Sequence, residues 1–126
     1  MKIDVSIGEL VDKVTILSIK LEKISDPVKI DNVRREYELL LPAMRECGIE
    51  VGSPEFIQLR EVNRKLWEIE DRIRIKEAEQ CFDREFIELA RSVYQINDRR
   101  AELKKEINLA SNSSLVEEKH YVDYSG

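Results

Sequence analysis

The chain has 126 residues and a mass of 14.8 kDa, the size of one domain. Its 21 Lys and Arg against 26 Asp and Glu leave a net charge of −5, which argues against a nucleic-acid binder and against a polybasic membrane-surface module. With 42% hydrophobic residues but only 4 Gly and 3 Pro, the composition suits long helices around a real core and disfavours an all-β fold or wholesale disorder.

The first helical pattern opens at Ser6, where Ser6 and Glu9 form an S-x-x-E capping box. Ile7, Leu10, Val14, Leu17, Leu21 and Ile24 then recur in steps of three and four, which puts them on one stripe. Ser25-Asp26-Pro27 ends this helix and starts the next, with Asp26 suited to the N-cap and Pro27 to the first helical position. The second stripe is Ile30, Val33, Tyr37, Leu40 and Met44. Pro42 inside it predicts a kink or break near Leu41, and Gly48 predicts the stop.

Ser53-Pro54 repeats the cap-plus-proline signal, and Leu59, Val62, Leu66, Ile69 and Ile73 form the third stripe. The pattern resets at Cys81-Phe82-Asp83, where Asp83 caps a fourth helix whose stripe begins Phe86, Leu89, Ala90, Val93. Ser111 to Ser114 reads as a polar break, and Leu115 to Gly126 carries too little pattern to assign. The expected fold is therefore an all-α helical bundle built on antiparallel hairpins. Residues 1–110 form a single helical domain with a long hairpin over about 54–80 and 84–109, and 111–126 is an unassigned tail. The two shorter helices are expected to form a second hairpin on the same core.

Cys47 and Cys81 make neither a disulfide framework nor a metal-ligand spacing and are expected to pack as small hydrophobes in a reducing compartment. The start MKIDVSIGEL has no apolar run before a cleavage site, and no stretch approaches the ~20 apolar residues of a membrane span. A cytoplasmic protein with neither a nucleic-acid nor a membrane partner is expected. Ile16 and Ile19 lie on the far side of the first helix, and Phe56, Trp67 and Ala78 share a second face of the third. These off-stripe apolar residues predict a homo-oligomer.

The fourth helix holds the main irregularity. At ~100° per residue, Asn97, Arg100 and Lys104 fall on the stripe begun by Phe86, Ala90 and Val93, so the inward face turns polar in its second half. Buried polar groups are costly unless paired. The stripe is thus a satisfied polar layer, an emergence into solvent, or a pocket for an anionic group lined also by Tyr94 and Asp98. In such a pocket Arg100 and Lys104 would be the cations, and Glu70 borders the seam. Asp12 and Lys13 point away from the first apolar stripe and read as a solvated face.

One histidine, His120, makes a zinc site unexpected, and no metal or other cofactor is expected. Glu68-x-x-Asp71 and Glu85-x-x-Glu88 echo the Mg²⁺-binding pairs of all-α nucleoside-triphosphate pyrophosphatases, but in reverse order. Arg91, Arg100 and Lys104 loosely match the convergent cations of an all-α chorismate mutase. No nucleophile with an adjacent base, P-loop or dinucleotide-binding motif is present.

Two segments, Ser6-Ile7-Gly8-Glu9-Leu10-Val11-Asp12-Lys13-Val14-Thr15-Ile16-Leu17 and Phe86-Ile87-Glu88-Leu89-Ala90-Arg91-Ser92-Val93-Tyr94 followed by Asn97-Asp98 and Arg100, carry a resemblance over most of the chain. With Leu66-Trp67-Glu68-Ile69-Glu70-Asp71 and Val116-Glu117-Glu118-Lys119, they resemble a family of small bacterial and phage proteins of unknown function. Its members sometimes neighbour cell-surface polysaccharide genes, which assigns no activity. The resemblance implies no catalytic residue. It does imply that Glu9, Asp12, Lys13, Glu70, Asp71, Arg91, Asn97, Asp98 and Arg100 matter together, and that the tail folds back on the bundle or on a neighbouring subunit. The leading expectation is a helical binding or assembly module, homo-oligomeric, with a polar pocket for a small anionic ligand or a face for a protein partner. A Mg-dependent enzyme on a nucleotide or nucleotide sugar and a purely structural oligomer are the alternatives.

Overall fold

The structure, a computed structural model, describes residues 1–111 and has four helices among them: α1 Ile7–Lys23, α2 Pro27–Glu46, α3 Pro54–Ala78 and α4 Arg84–Ala110. The expected all-α bundle is present, and no strand occurs among the described residues. Apart from Ser111, the segment read as a tail lies outside them.

Local chemistry explains each boundary. The Ser6 hydroxyl accepts the Glu9 amide at 3.1 Å, and Asp26 Oδ1 accepts the Val28 and Lys29 amides at 2.9 and 3.1 Å. Pro27 fills the first position of α2, where its missing N–H costs nothing. The expected break at Pro42 does not occur: α2 runs on to Glu46. Pro42 lies one turn from the helix end and is exposed, so the hydrogen bond its missing N–H removes is close to the helix terminus.

Two helices end in the same six-residue closure. After α2, the Gly48 amide donates to Arg45 O at 2.9 Å and the Ile49 amide to Met44 O at 3.4 Å, with Gly48 at φ 82°. After α3, the Gln80 amide donates to Glu77 O at 3.1 Å and the Cys81 amide to Lys76 O at 2.9 Å. Here the left-handed position is held by Gln80 at φ 57°, a residue with a Cβ, which costs ~1–2 kcal/mol that glycine would spare. Ser53 takes the N-cap position of α3, but its hydroxyl accepts the Glu50 amide at 2.8 Å, so it braces the loop instead of the helix.

Asp83 starts α4 and also ties the hairpin turn. Its Oδ1 accepts the Phe86 amide at 3.0 Å, and Lys76 Nζ donates to both its oxygens at 3.0 and 2.9 Å. The Lys76 hydrogen bonds, and then the Phe86 amide, hold the Asp83 carboxyl down at about 2. A depressed carboxylate stabilises the fold fully above its unfolded value of 3.8 and loses that contribution as pH falls towards 2. Thermal melts across that window are expected to show a steeper loss of Tm for the wild type than for Asp83→Asn, which keeps a cap but cannot titrate. Parallel curves would contradict the assignment.

The arrangement is less symmetrical than two hairpins around one core. α1 packs against α2, α3 and α4, whereas α2 packs against α1 alone. The sequence stripe on α2 is accordingly thinly covered, and Met44 is its one fully buried residue. The core joins Val11 and Val14 of α1 to Met44, Phe56, Leu59 and Leu103, with Ile49 and Ile107 beside them. Because α1 is covered on more than one side, its supposed outer face is partly interior: Ile19 is fully buried and Ile16 half-buried. Phe56 is likewise core and Trp67 half-buried, so Ile19 and Phe56 belong to the monomer's interior and not to a subunit face.

α3 and α4 extend beyond this core. Their facing residues keep the three-four spacing, yet no residue from Trp67 to Glu102 is fully buried. At 1.5 Å per residue, the outer stretches 67–78 and 84–96 make an arm ~18 Å long that α1 and α2 do not cover.

Candidate functional site

Where α1 crosses the α3–α4 hairpin, a polar cluster replaces the apolar seam. Asp12 stands on the side of α1 that faces the hairpin and is 1% exposed. Arg100 occupies the seam of α4 between Ile96 and Leu103, a position the spacing would otherwise give to an apolar residue. Its Nε donates to Asp12 Oδ1 at 2.8 Å and its Nη2 to Asp12 Oδ2 at 2.5 Å, a two-pronged pair. Asn63 of α3 donates through Nδ2 to Asp12 Oδ1 at 2.9 Å and to Thr15 Oγ1 at 2.8 Å, and Thr15 in turn donates to the Asp12 carbonyl at 2.6 Å. Arg100 Nη1 reaches Asn97 Oδ1 at 3.5 Å.

The cluster continues down α4 towards the start of α1. Lys104 Nζ donates to Glu9 Oε2 at 2.6 Å, so the carboxylate that a capping box would turn back to Ser6 is engaged across the helix interface. One turn further, Asn108 Oδ1 accepts the Gly8 amide at 2.6 Å. This amide is one of the first N–H groups of α1, which have no carbonyl within the helix, and Asn108 supplies its acceptor from α4. The approach is close: a Cβ on Gly8 would lie 2.5 Å from the Lys104 carbonyl oxygen. Among the described residues, no buried side-chain nitrogen or oxygen lacks a hydrogen-bond partner.

The structure thus brings together five of the residues singled out from sequence: Glu9, Asp12, Asn97, Arg100 and Lys104. The reading of Asp12 as solvated is corrected, because α1 is a covered helix and its second face meets α3 and α4. Lys13 does face solvent and pairs with Glu36 of α2 at 3.0 Å. Glu70, Asp71 and Arg91 stand exposed on the arm, beyond the reach of α1. Tyr94 is partly exposed there too, and Asp98, two residues from Arg100, falls on another side of α4.

Four participants were not singled out: Asn63, Thr15, Asn108 and Gly8. Asn108 was legible as the next step of the polar stripe after Arg100 and Lys104. Gly8 was legible as a glycine inside a helical pattern, the usual sign of close backbone approach.

Three of the four carboxylates in the acidic pairs that echoed a Mg²⁺ site are engaged with cations. Glu85 pairs with Lys76 at 3.2 Å and also with Arg72, Glu88 with Arg84 at 3.1 Å, and Glu68 with Arg64 at 2.5 Å. Among the described residues, no three His, Cys, Asp or Glu side chains are grouped as a metal ion requires. No helix among them is long and apolar enough to cross a membrane. Both cysteines are free thiols, half-buried.

The family model of DUF6165, a family of unknown function, matches residues 1–124, and the chain belongs to that family. No curated protein and no solved structure gave a match.

Proposed function

We propose that this member of a family of unknown function is a non-catalytic helical assembly module, in which the polar cluster is an internal clasp and the α3–α4 arm is the surface presented to a partner. One observation carries the reading: the charged groups of the cluster are paired with one another across the helix interface. Both Asp12 oxygens are taken by Arg100, Asn63 closes the remaining side, and Lys104 is matched by Glu9. A carboxylate held this way fixes the register of α1 on the hairpin and neutralises the cation that an anionic ligand would otherwise seek. The arm is the converse case, with the same apolar spacing as the core but, among the described residues, no third helix over it.

A thermal-shift series with nucleotides, nucleotide sugars and phosphorylated sugars, each with and without Mg²⁺, tests this. A specific ligand at ~100 times its Kd adds ~2.7 kcal/mol, several degrees in a domain of this size. The expected result is no shift with any of them. A reproducible rise would overturn the closed-clasp reading and favour an anion pocket, or carboxylate-metal chemistry if Mg²⁺ were required.

A further inference from the structure

The face of the hairpin on which α1 lies continues outward along the arm. On α3 the stripe through Asn63 runs on in steps of four, three and four to Trp67, Glu70 and Arg74. On α4 the stripe through Asn97 runs outward in steps of three, four and three to Tyr94, Ala90 and Ile87. Beyond α1 this face exposes apolar surface, with Ile87 53% and Tyr94 40% exposed, while the seam beneath it, Ile69, Ile73, Leu89 and Val93, is only half-buried. Closer to the core, where α1 lies on the same face, Leu59 and Leu103 of that seam are fully buried.

The charge and shape of this face match a copy of itself turned end over end. Asp12 joins Asn63 to Arg100, and Lys76 pairs with Glu85, so the antiparallel register sets Arg72 of α3 level with Ala90 of α4. Glu70 and Arg74 stand two residues on either side of that level, and Ile87 and Tyr94 three and four on either side. One two-fold axis crossing the face there sets Glu70 against the second copy's Arg74 and Ile87 against its Tyr94, with Ala90 at the centre admitting close approach.

We infer that the arm's partner is a second copy of this chain, packed arm on arm and antiparallel, so that four helices enclose the half-buried seam. This rests on the assembly reading above and names its occupant. The patch is ~18 Å long and two helices, or roughly 20 Å, wide, smaller than the interfaces of stable dimers, so association is weak, transient and concentration-dependent.

Light scattering over a wide concentration range reads this directly. The mass is expected to rise from 14.8 kDa towards twice that value. Ile87→Asp is expected to stay monomeric. Glu70→Arg and Arg74→Glu, each of which sets like charges face to face across the axis, are expected to weaken association about tenfold, and their combination to restore it. These positions are exposed, so at concentrations where the wild type is monomeric the thermal melts of the variants are expected to match it and certify the fold. A mass of 14.8 kDa at every concentration would overturn self-pairing while leaving the closed clasp to the ligand series. A dimer indifferent to the charge swaps and to Ile87→Asp would overturn this face and this arrangement.

Discussion

Arg100→Ala is expected to destabilise the protein by about 3–5 kcal/mol, because it leaves the Asp12 carboxylate buried without its cation. The reverse truncation is expected to be milder. Asp12→Ala frees a guanidinium that is already 29% exposed and turns readily to water, at about 1.5–3 kcal/mol for the charged hydrogen bonds lost. Asn63 keeps its bond to Thr15 in that variant. The double variant is expected to cost well under the sum of the two, since both changes remove one interaction. Urea unfolding of the four proteins measures all of this in one cycle. Near-wild-type stability in Arg100→Ala would show that the pair does not hold α1 in place and would return Arg100 to the candidates for ligand binding.

Gly8→Ala is expected to reverse a general rule. Replacing glycine by alanine inside a helix normally gains up to ~1 kcal/mol of propensity. Here the added methyl would sit 2.5 Å from the Lys104 carbonyl oxygen and 2.9 Å from Asn108 Oδ1. The first neighbour is the backbone of α4, which cannot rotate away, so α1 and α4 must part. Overpacking of this kind costs about 1–3 kcal/mol, and separation also lengthens the buried bond from the Gly8 amide to Asn108. A net loss of about 2–4 kcal/mol is the expected outcome of chemical denaturation. Asn108→Ala keeps the space but removes the acceptor, and is expected to cost less, about 1–3 kcal/mol. A neutral or stabilised Gly8→Ala would mean that the two helices do not approach this closely.

The helices and their ends were readable in the sequence because they are local matters. Asp26, Asp83 and Gly48 each act within a few residues, and each does what its position predicts. The hairpin followed from two long periodic stretches and a short connection. The inward polar stripe of α4 was readable for the same reason: the positions of Arg100 and Lys104 depend only on helical geometry. What lay across from them was not. The partner of Arg100 comes from α1, 88 residues earlier, on a face that looks solvated until one knows that α1 is covered on several sides. The burial of Ile19 and Phe56 is hidden from the sequence for that same reason. At Pro42 the break offered beside a kink does not occur, because the proline stands one turn from the end of α2 and interrupts less of the helix than a central one would.

The span of the clasp also governs the order in which the molecule can be completed. Its bonds tie residue 8 to 108 and residue 12 to 100, separations of 100 and 88 in a chain of 126. During synthesis α1 emerges before α2, α3 and α4, yet its buried carboxylate has no Arg100 to pair with until α4 has been made. Until then Asp12 lacks the cation that offsets its burial, and α1 docks on the α3–α4 hairpin only after that hairpin exists to receive it. Closing so long a loop is slow compared with forming a hairpin, which makes the docking of α1 the late step of folding. A chain cut short before Asn108 lacks that residue's bond to α1, so quality control would meet it with the N-terminal helix unlocked.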